Sequence, residues 1–135
     1  MKKRVYIAGS IQGVENKQHY RKVLKKFLLS QGFDIYDPWE DEAIYYKDFD
    51  YKIACYLSTK DRKEVERSDI LVAYLEQCSV GTTREIQWAL DAGKRVIIIS
   101  PMKKPSPHLV SCSKEYYHSL QEFIQQWSKT KGGNV

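Results

Sequence analysis

Two runs of strand length, Ile70-Leu71-Val72-Ala73-Tyr74-Leu75 and Val96-Ile97-Ile98-Ile99, are almost unbroken apolar sequence. A strand with one wet face alternates polar and apolar residues, whereas a continuous apolar run needs cover on both faces. That is the condition of a parallel sheet held between layers of helices. The flanking segments supply those helices. Tyr20, Val23, Leu24, Phe27 and Leu28 recur at steps of three and four, with Lys17, Arg21, Lys22, Lys25 and Lys26 on the remaining face. This spacing predicts an amphipathic helix that ends near Gly32. Val5-Tyr6-Ile7-Ala8, closed by Gly9-Ser10, predicts a first buried strand, and Phe33-Asp34-Ile35-Tyr36, stopped by Asp37-Pro38, a second. Ile86, Ala89 and Leu90 predict a helix that stops at Gly93. Asp61 to Arg67 reads as a charged helical stretch, and Tyr117, Leu120, Ile124 and Trp127 space a final helix. Residues 39–56 are polar, aromatic and only weakly helical in pattern. Strands alternating with helices, without internal repeat or linker, predict one α/β domain over residues 1–135. The expected architecture is a doubly wound, mainly parallel, Rossmann-like sheet flanked by helices, with residues 129–135 as a frayed tail.

Composition narrows the function classes. A chain of 135 residues that is 42% hydrophobic and 29% charged is globular and excludes disordered or fibrous classes. Lys plus Arg outnumber Asp plus Glu, 22 − 17 = +5, so the surface favours anionic ligands. The apolar run behind Met1-Lys2-Lys3-Arg4 is shorter than the roughly 7 to 15 residues of a secretory core. No stretch approaches the roughly 20 apolar residues of a membrane span. Cys55, Cys78 and Cys112 form neither a metal-binding pair nor a disulfide framework. A reduced, cytoplasmic protein without membrane contact is expected. The lysine-rich helix face reads as solvated rather than as a nucleic-acid surface. His19, His108 and His118 lack ligand spacing, and no metal or organic cofactor is expected.

In doubly wound sheets, ligands bind beyond the carboxyl ends of the strands, where two loops fall here, Gly9 to Gly13 and Glu76 to Thr83. The second leads into a helix through Ser79-Val80-Gly81-Thr82-Thr83-Arg84-Glu85. Free backbone N–H groups and the helix dipole welcome an anion at such a junction. Glu85, expected in the first turn, would lie close to that spot. A carboxylate beside a sugar is the usual nucleophile or stabiliser when a glycosidic carbon becomes oxocarbenium-like. The same Thr82-Thr83-Arg84-Glu85 spacing also matches a capping box, where the glutamate only satisfies a backbone donor. On local spacing alone, capping is the commoner use.

The ordered set of motifs is more specific than any one of them. Val5-Tyr6-Ile7-Ala8-Gly9-Ser10-Ile11-Gln12-Gly13 resembles the opening strand and loop of the nucleoside 2-deoxyribosyltransferase superfamily. Asp61, then Asp69-Ile70-Leu71-Val72-Ala73, then Ser79-x-Gly81-x-x-x-Glu85, and finally Ala89 and Gly93-Lys94-Arg95-Val96-Ile97 resemble its later landmarks. Within that superfamily the pattern is most like the 2'-deoxynucleoside 5'-monophosphate N-glycosidases. The resemblance implies Glu85 as the nucleophile at the anomeric carbon and Asp61 as its acid/base partner. It also implies substrate contacts from Tyr6, Gly9, Ser10, Ile11, Gln12, Gly13, Ser79 and Gly81. Relatives that act on unphosphorylated nucleosides usually carry aspartate at the position of Ser79, so serine implies a nucleoside 5'-monophosphate substrate. Gln12 departs from the arginine of the glycosidases, with Arg84 as a possible substitute. The resemblance further implies a homodimer with shared active sites, in which Ser111, or Ser106 in its place, reaches the neighbouring phosphate site. Asp69 reads as structural. Base exchange between deoxynucleosides, or nucleotide binding without turnover, are the competing expectations.

Overall fold

In the computed structural model, which describes residues 2–129, five parallel strands pair in the order β2-β1-β3-β4-β5. They are β1 (Arg4–Gly9), β2 (Asp34–Tyr36), β3 (Ile70–Tyr74), β4 (Arg95–Ile99) and β5 (Tyr116–Tyr117). The helices are α1 (His19–Ser30), α2 (Pro38–Glu42), α3 (Tyr51–Arg67), α4 (Val80–Asp91), α5 (Pro107–Val110) and α6 (Leu120–Lys129), with a 3₁₀ turn at Ala43–Tyr46. The chain runs outward from β1 to β2, then returns to place β3 on the other side of β1. The switch point is therefore the crevice between the carboxyl ends of β1 and β3. The expected α/β class and parallel sheet are present. Beyond Lys129, the expected tail lies outside the described residues.

The two apolar runs are the central strands β3 and β4, and alternate side chains feed two cores. Val5, Ile7, Val72, Ile97 and Ile99 pack with Leu24 and Leu28 of α1 and Phe123 and Trp127 of α6. Tyr6, Ala8, Leu71, Ala73 and Ile98 pack on the opposite face with Val65 of α3 and Ile86 and Ala89 of α4. Gly93 stands just past α4 at φ +71°, a backbone state that glycine adopts without steric penalty. No helix among the described residues is long and apolar enough to cross a membrane.

Several expectations are corrected. The charged stretch from Asp61 is the second half of α3, which begins at Tyr51 because Asp50 caps it, accepting from Ile53 N at 2.8 Å. Tyr117 lies in the short edge strand β5, and the final helix starts at Leu120. Arg21 leaves the solvated face of α1: it is 1% exposed and turns inward under the sheet's carboxyl end.

Gly9 ends β1 against Tyr20. A Cβ there would stand 1.8 Å from Tyr20 Oη, and Tyr20 is itself buried and stacked on Tyr74 at 4.3 Å between ring centroids. Gly9→Ala is therefore expected to destabilise the fold by about 1–3 kcal/mol, the usual penalty of forcing a methyl group into a filled site. The midpoint of urea unfolding measures it; an unchanged midpoint would mean that Tyr20 swings aside freely.

Candidate active site

Ser79 has extended backbone and caps α4, its Oγ accepting from Thr82 N at 3.3 Å. The helix thus begins at Val80, and Glu85 falls in its second turn rather than its first. No Thr82–Glu85 capping box forms. Thr82 sits inside the helix, with its Oγ1 buried and without a hydrogen-bond partner. Glu85 instead turns toward the sheet, where Tyr6 Oη donates to its Oε2. Burial pushes the Glu85 carboxyl up to about 7; the Tyr6 hydrogen bond and the charge of Arg21 act against that rise, and Glu42 adds to it.

Asp61 stands in the middle of α3, the helix that packs beside α4, and opens onto the same cleft. Burial drives its carboxyl far above the ordinary range, followed by the hydrogen bond of Glu42, the charge of Glu85 and the charge of Glu42, against the opposing Lys60. Glu42 is 1% exposed, and its Oε2 accepts from Lys60 Nζ at 3.1 Å. Glu42 Oε1 and Asp61 Oδ1 are both buried and, with both carboxyls ionised, neither oxygen has a donor. Two ionised carboxylates have no proton to give each other, so a proton held on Asp61 is what relieves this arrangement.

The cleft encloses about 480 Å³. Gly9, Ser10, Ile11 and Gln12 line it from the loop after β1, and Ser79, Gly81, Arg84 and Glu85 from the start of α4. The two loops also touch, Ser10 Oγ lying 3.5 Å from Gln77 O. Gly13 sits beyond the lining, at an exposed turn. Tyr6 is fully buried and reaches the site through Glu85 rather than as an open face for a base. Of the other aromatic residues, Tyr46, Phe49 and Trp88 line the cleft, whereas Trp39 lines a separate cavity beside α1. Arg84 lies over the Trp88 ring at 4.9 Å from its centroid. Ser111 is exposed at the end of α5, its hydroxyl donating to His108 O at 2.9 Å, and lies outside the cleft of its own chain. Ser106 caps α5 and also lies outside the cleft. Asp69 is structural, accepting from Arg4 N at 2.9 Å.

Two residues of this region carry no signal in the sequence pattern. Glu42 is one of three acids in Glu40-Asp41-Glu42, and the pattern gives no sign of which one turns inward. Arg21 shares its helical periodicity with Lys17, Lys22, Lys25 and Lys26, so the spacing does not separate it from them.

A doubly wound sheet with paired carboxyl groups at its switch point belongs among α/β proteins whose chemistry sits at the carboxyl ends of the strands. The chain belongs to the nucleoside 2-deoxyribosyltransferase family, whose model matches residues 5–126. The structure is similar to the 2-deoxyribosyltransferase of the psychrotolerant bacterium Bacillus psychrosaccharolyticus, with 18% identity, TM-score 0.68, and 84% of this chain against 85% of that one. It is similar to the 2-deoxyribosyltransferase of Leishmania mexicana, with 13% identity, TM-score 0.67, and 94% against 97%. It is also similar to the CMP N-glycosidase BcmB of Clostridium botulinum, with 20% identity, TM-score 0.63, and 94% against 99%. At these identities the likeness concerns the fold. Comparison with curated proteins finds no match. The family is named for enzymes that transfer a 2-deoxyribosyl group, a reaction at an N-glycosyl bond.

Proposed function

We propose that this chain hydrolyses the N-glycosidic bond of a nucleoside 5'-monophosphate, by preference a deoxynucleotide, releasing free base and sugar 5-phosphate. The observation that carries this reading is the pair of carboxyl groups, Asp61 on α3 and Glu85 on α4, that open onto one cleft. The buried Glu42 carboxylate beside Asp61 favours a proton held there, which supports Asp61 as the acid and Glu85 as the nucleophile. Glu85, as carboxylate, attacks C1' of the sugar. The bond from C1' to the base breaks, and its electron pair leaves with the base nitrogen, which takes the proton of Asp61. Asp61, now ionised, accepts a proton from water as that water attacks C1', and Glu85 is released. Absence of the 2'-hydroxyl eases positive charge at C1', which favours a deoxy sugar.

The phosphate falls to neutral donors: the hydroxyls of Ser10 and Ser79, backbone N–H groups of Ile11 and Gln12, and the N-terminus of α4. Arg84 adds a cation to the same cleft. Ser111 of a second copy completes the phosphate side in a cytoplasmic homodimer. Base exchange draws support from the two transferases of like fold, but Ser79, which brings no carboxylate to the phosphate side, favours the monophosphate reading.

The test is chromatographic. Purified protein is offered a panel of deoxy- and ribonucleoside 5'-monophosphates with their nucleosides, using Glu85→Ala as blank. Base released from a monophosphate, and not by the blank, is the expected result. Labelled base exchanged without net hydrolysis would make it a transferase, and binding without turnover a sensor. Within the hydrolytic reading, Glu42→Gln removes a charge that holds the proton on Asp61. Asp61 works in its protonated form, so activity fails as pH rises through its pKa. In the variant that alkaline limb is expected about one pH unit lower. A limb that stays in place would detach Glu42 from the acid.

A further inference from the structure

Arg21 is buried to 1% exposure, and each nitrogen of its guanidinium donates a hydrogen bond. Nη1 donates to Asp37 Oδ1 at 2.7 Å and to Ile7 O at 3.4 Å, Nη2 to Gly9 O at 3.0 Å, and Nε to Gln18 Oε1 at 2.7 Å. Gln18 passes the contact onward: its Nε2 donates to Ser10 O at 3.0 Å and Val14 O at 2.7 Å. Asp37 in turn accepts from Trp39 N at 3.1 Å and caps α2, the helix that ends in Glu42. One side chain of α1 thus ties together the end of β1, the loop that follows it, and the helix behind Asp61. A buried ion pair is weak evidence of stability, because desolvation offsets its attraction. Arginine is here the residue whose planar fork can serve several acceptors at once.

Building on the glycosidase reading, we infer that Arg21 is the positioning residue of the site, holding the phosphate loop against β1 and keeping a buried positive charge within electrostatic reach of the nucleophile. Glu85 is faced by Tyr6 of β1, Glu42 of α2, Asp61 of α3 and Tyr46 of the 3₁₀ turn, besides Tyr20 and Arg21 of α1. Among these, Arg21 opposes the rise that burial imposes on Glu85. Since Glu85 attacks as carboxylate, loss of that cation moves the acid limb of the rate profile to higher pH.

The experiment compares wild type, Arg21→Met, Arg21→Lys, Gln18→Leu and Lys25→Met on the monophosphate that wild type cleaves, with kcat and KM followed across pH. Lys25 lies 3.3 Å from the same Asp37 carboxylate, and it controls for loss of a charge there. Arg21→Met is expected to lose about ten- to a hundredfold in kcat/KM through misplacement of the loop. Its acid limb is expected about one pH unit higher. Arg21→Lys restores the limb but not KM, because an ammonium keeps the charge and loses the fork. Gln18→Leu raises KM several-fold with the limb unmoved, and Lys25→Met behaves as wild type. A folded Arg21→Met with wild-type KM and limb overturns the inference, as does a uniform fall in kcat with both unmoved. Should Arg21→Met fail to fold, a wild-type KM in both Arg21→Lys and Gln18→Leu overturns it. A wild type that releases no base removes the glycosidase reading and this inference together, an outcome visible before any variant is compared.

Discussion

Glu85→Gln is expected to abolish base release, by about a thousandfold or more, and at the same time to make the folded protein more stable at pH 8. The first effect follows from chemistry, since an amide oxygen is a poor nucleophile toward C1'. The second follows from linkage. Glu85 has its carboxyl raised from an ordinary 4.5 to about 7 in the folded chain, chiefly by burial. The native state therefore holds this proton more tightly than the unfolded chain does. The stability it contributes is complete below the unfolded pKa and is lost as pH rises through the folded one. Glutamine carries no charge at any of these values and keeps an oxygen for Tyr6 Oη. The variant should gain on the order of 2–3 kcal/mol at pH 8 and close to nothing at pH 4. Urea unfolding at the two pH values, run beside the base-release assay, reads both effects. Near-wild-type turnover would remove Glu85 as nucleophile. Equal stabilities at pH 8 would show that the carboxylate is solvated after all.

What the sequence disclosed and what it hid have a common physical cause. β3 and β4 are legible because a strand covered on both faces has to be apolar throughout, as is the Val5-Tyr6-Ile7-Ala8 run of β1. The site loops are legible because strands of such a sheet end on one edge. Residues 39–56 are obscure because α2, the 3₁₀ turn and the start of α3 are short or line the cleft, so Tyr46 and Phe49 face a cavity instead of a core. β5 pairs with β4 through only Ile98–Tyr116 and Ile99–Tyr117, too few residues to establish a period. Glu85 was ambiguous because capping and catalysis ask for the same residue at the same spacing. The structure resolves its local geometry through Ser79, which takes the cap and leaves Glu85 free to meet Tyr6. Arg21 was invisible for another reason. Its anchors include the carbonyl oxygens of Ile7 and Gly9, and backbone acceptors leave no trace in a side-chain pattern.

Ser79→Asp is expected to turn the substrate preference around, because the position separates helix capping from charge. Ser79 Oγ accepts from Thr82 N, and aspartate caps as well as serine does, with a carboxylate favoured further by the helix dipole. Fold stability should therefore hold within about 0.5 kcal/mol. Under the monophosphate reading, the substitution puts a negative charge where a neutral hydroxyl meets the substrate's 5' end. Two unit charges about 6 Å apart in an environment of effective dielectric about 20 repel by about 3 kcal/mol, about a hundredfold in binding or rate. A nucleoside 5'-monophosphate meets that repulsion in full, whereas the same nucleoside without phosphate meets none. Its free 5'-hydroxyl gains an acceptor instead. In the variant, kcat/KM for the monophosphate should fall about a hundredfold while that for the nucleoside holds or rises, and added salt should recover part of the loss. The paired substrates measured on one preparation read the ratio directly. An equal loss on both would detach Ser79 from the phosphate and return the loop between β3 and α4 to a purely structural role.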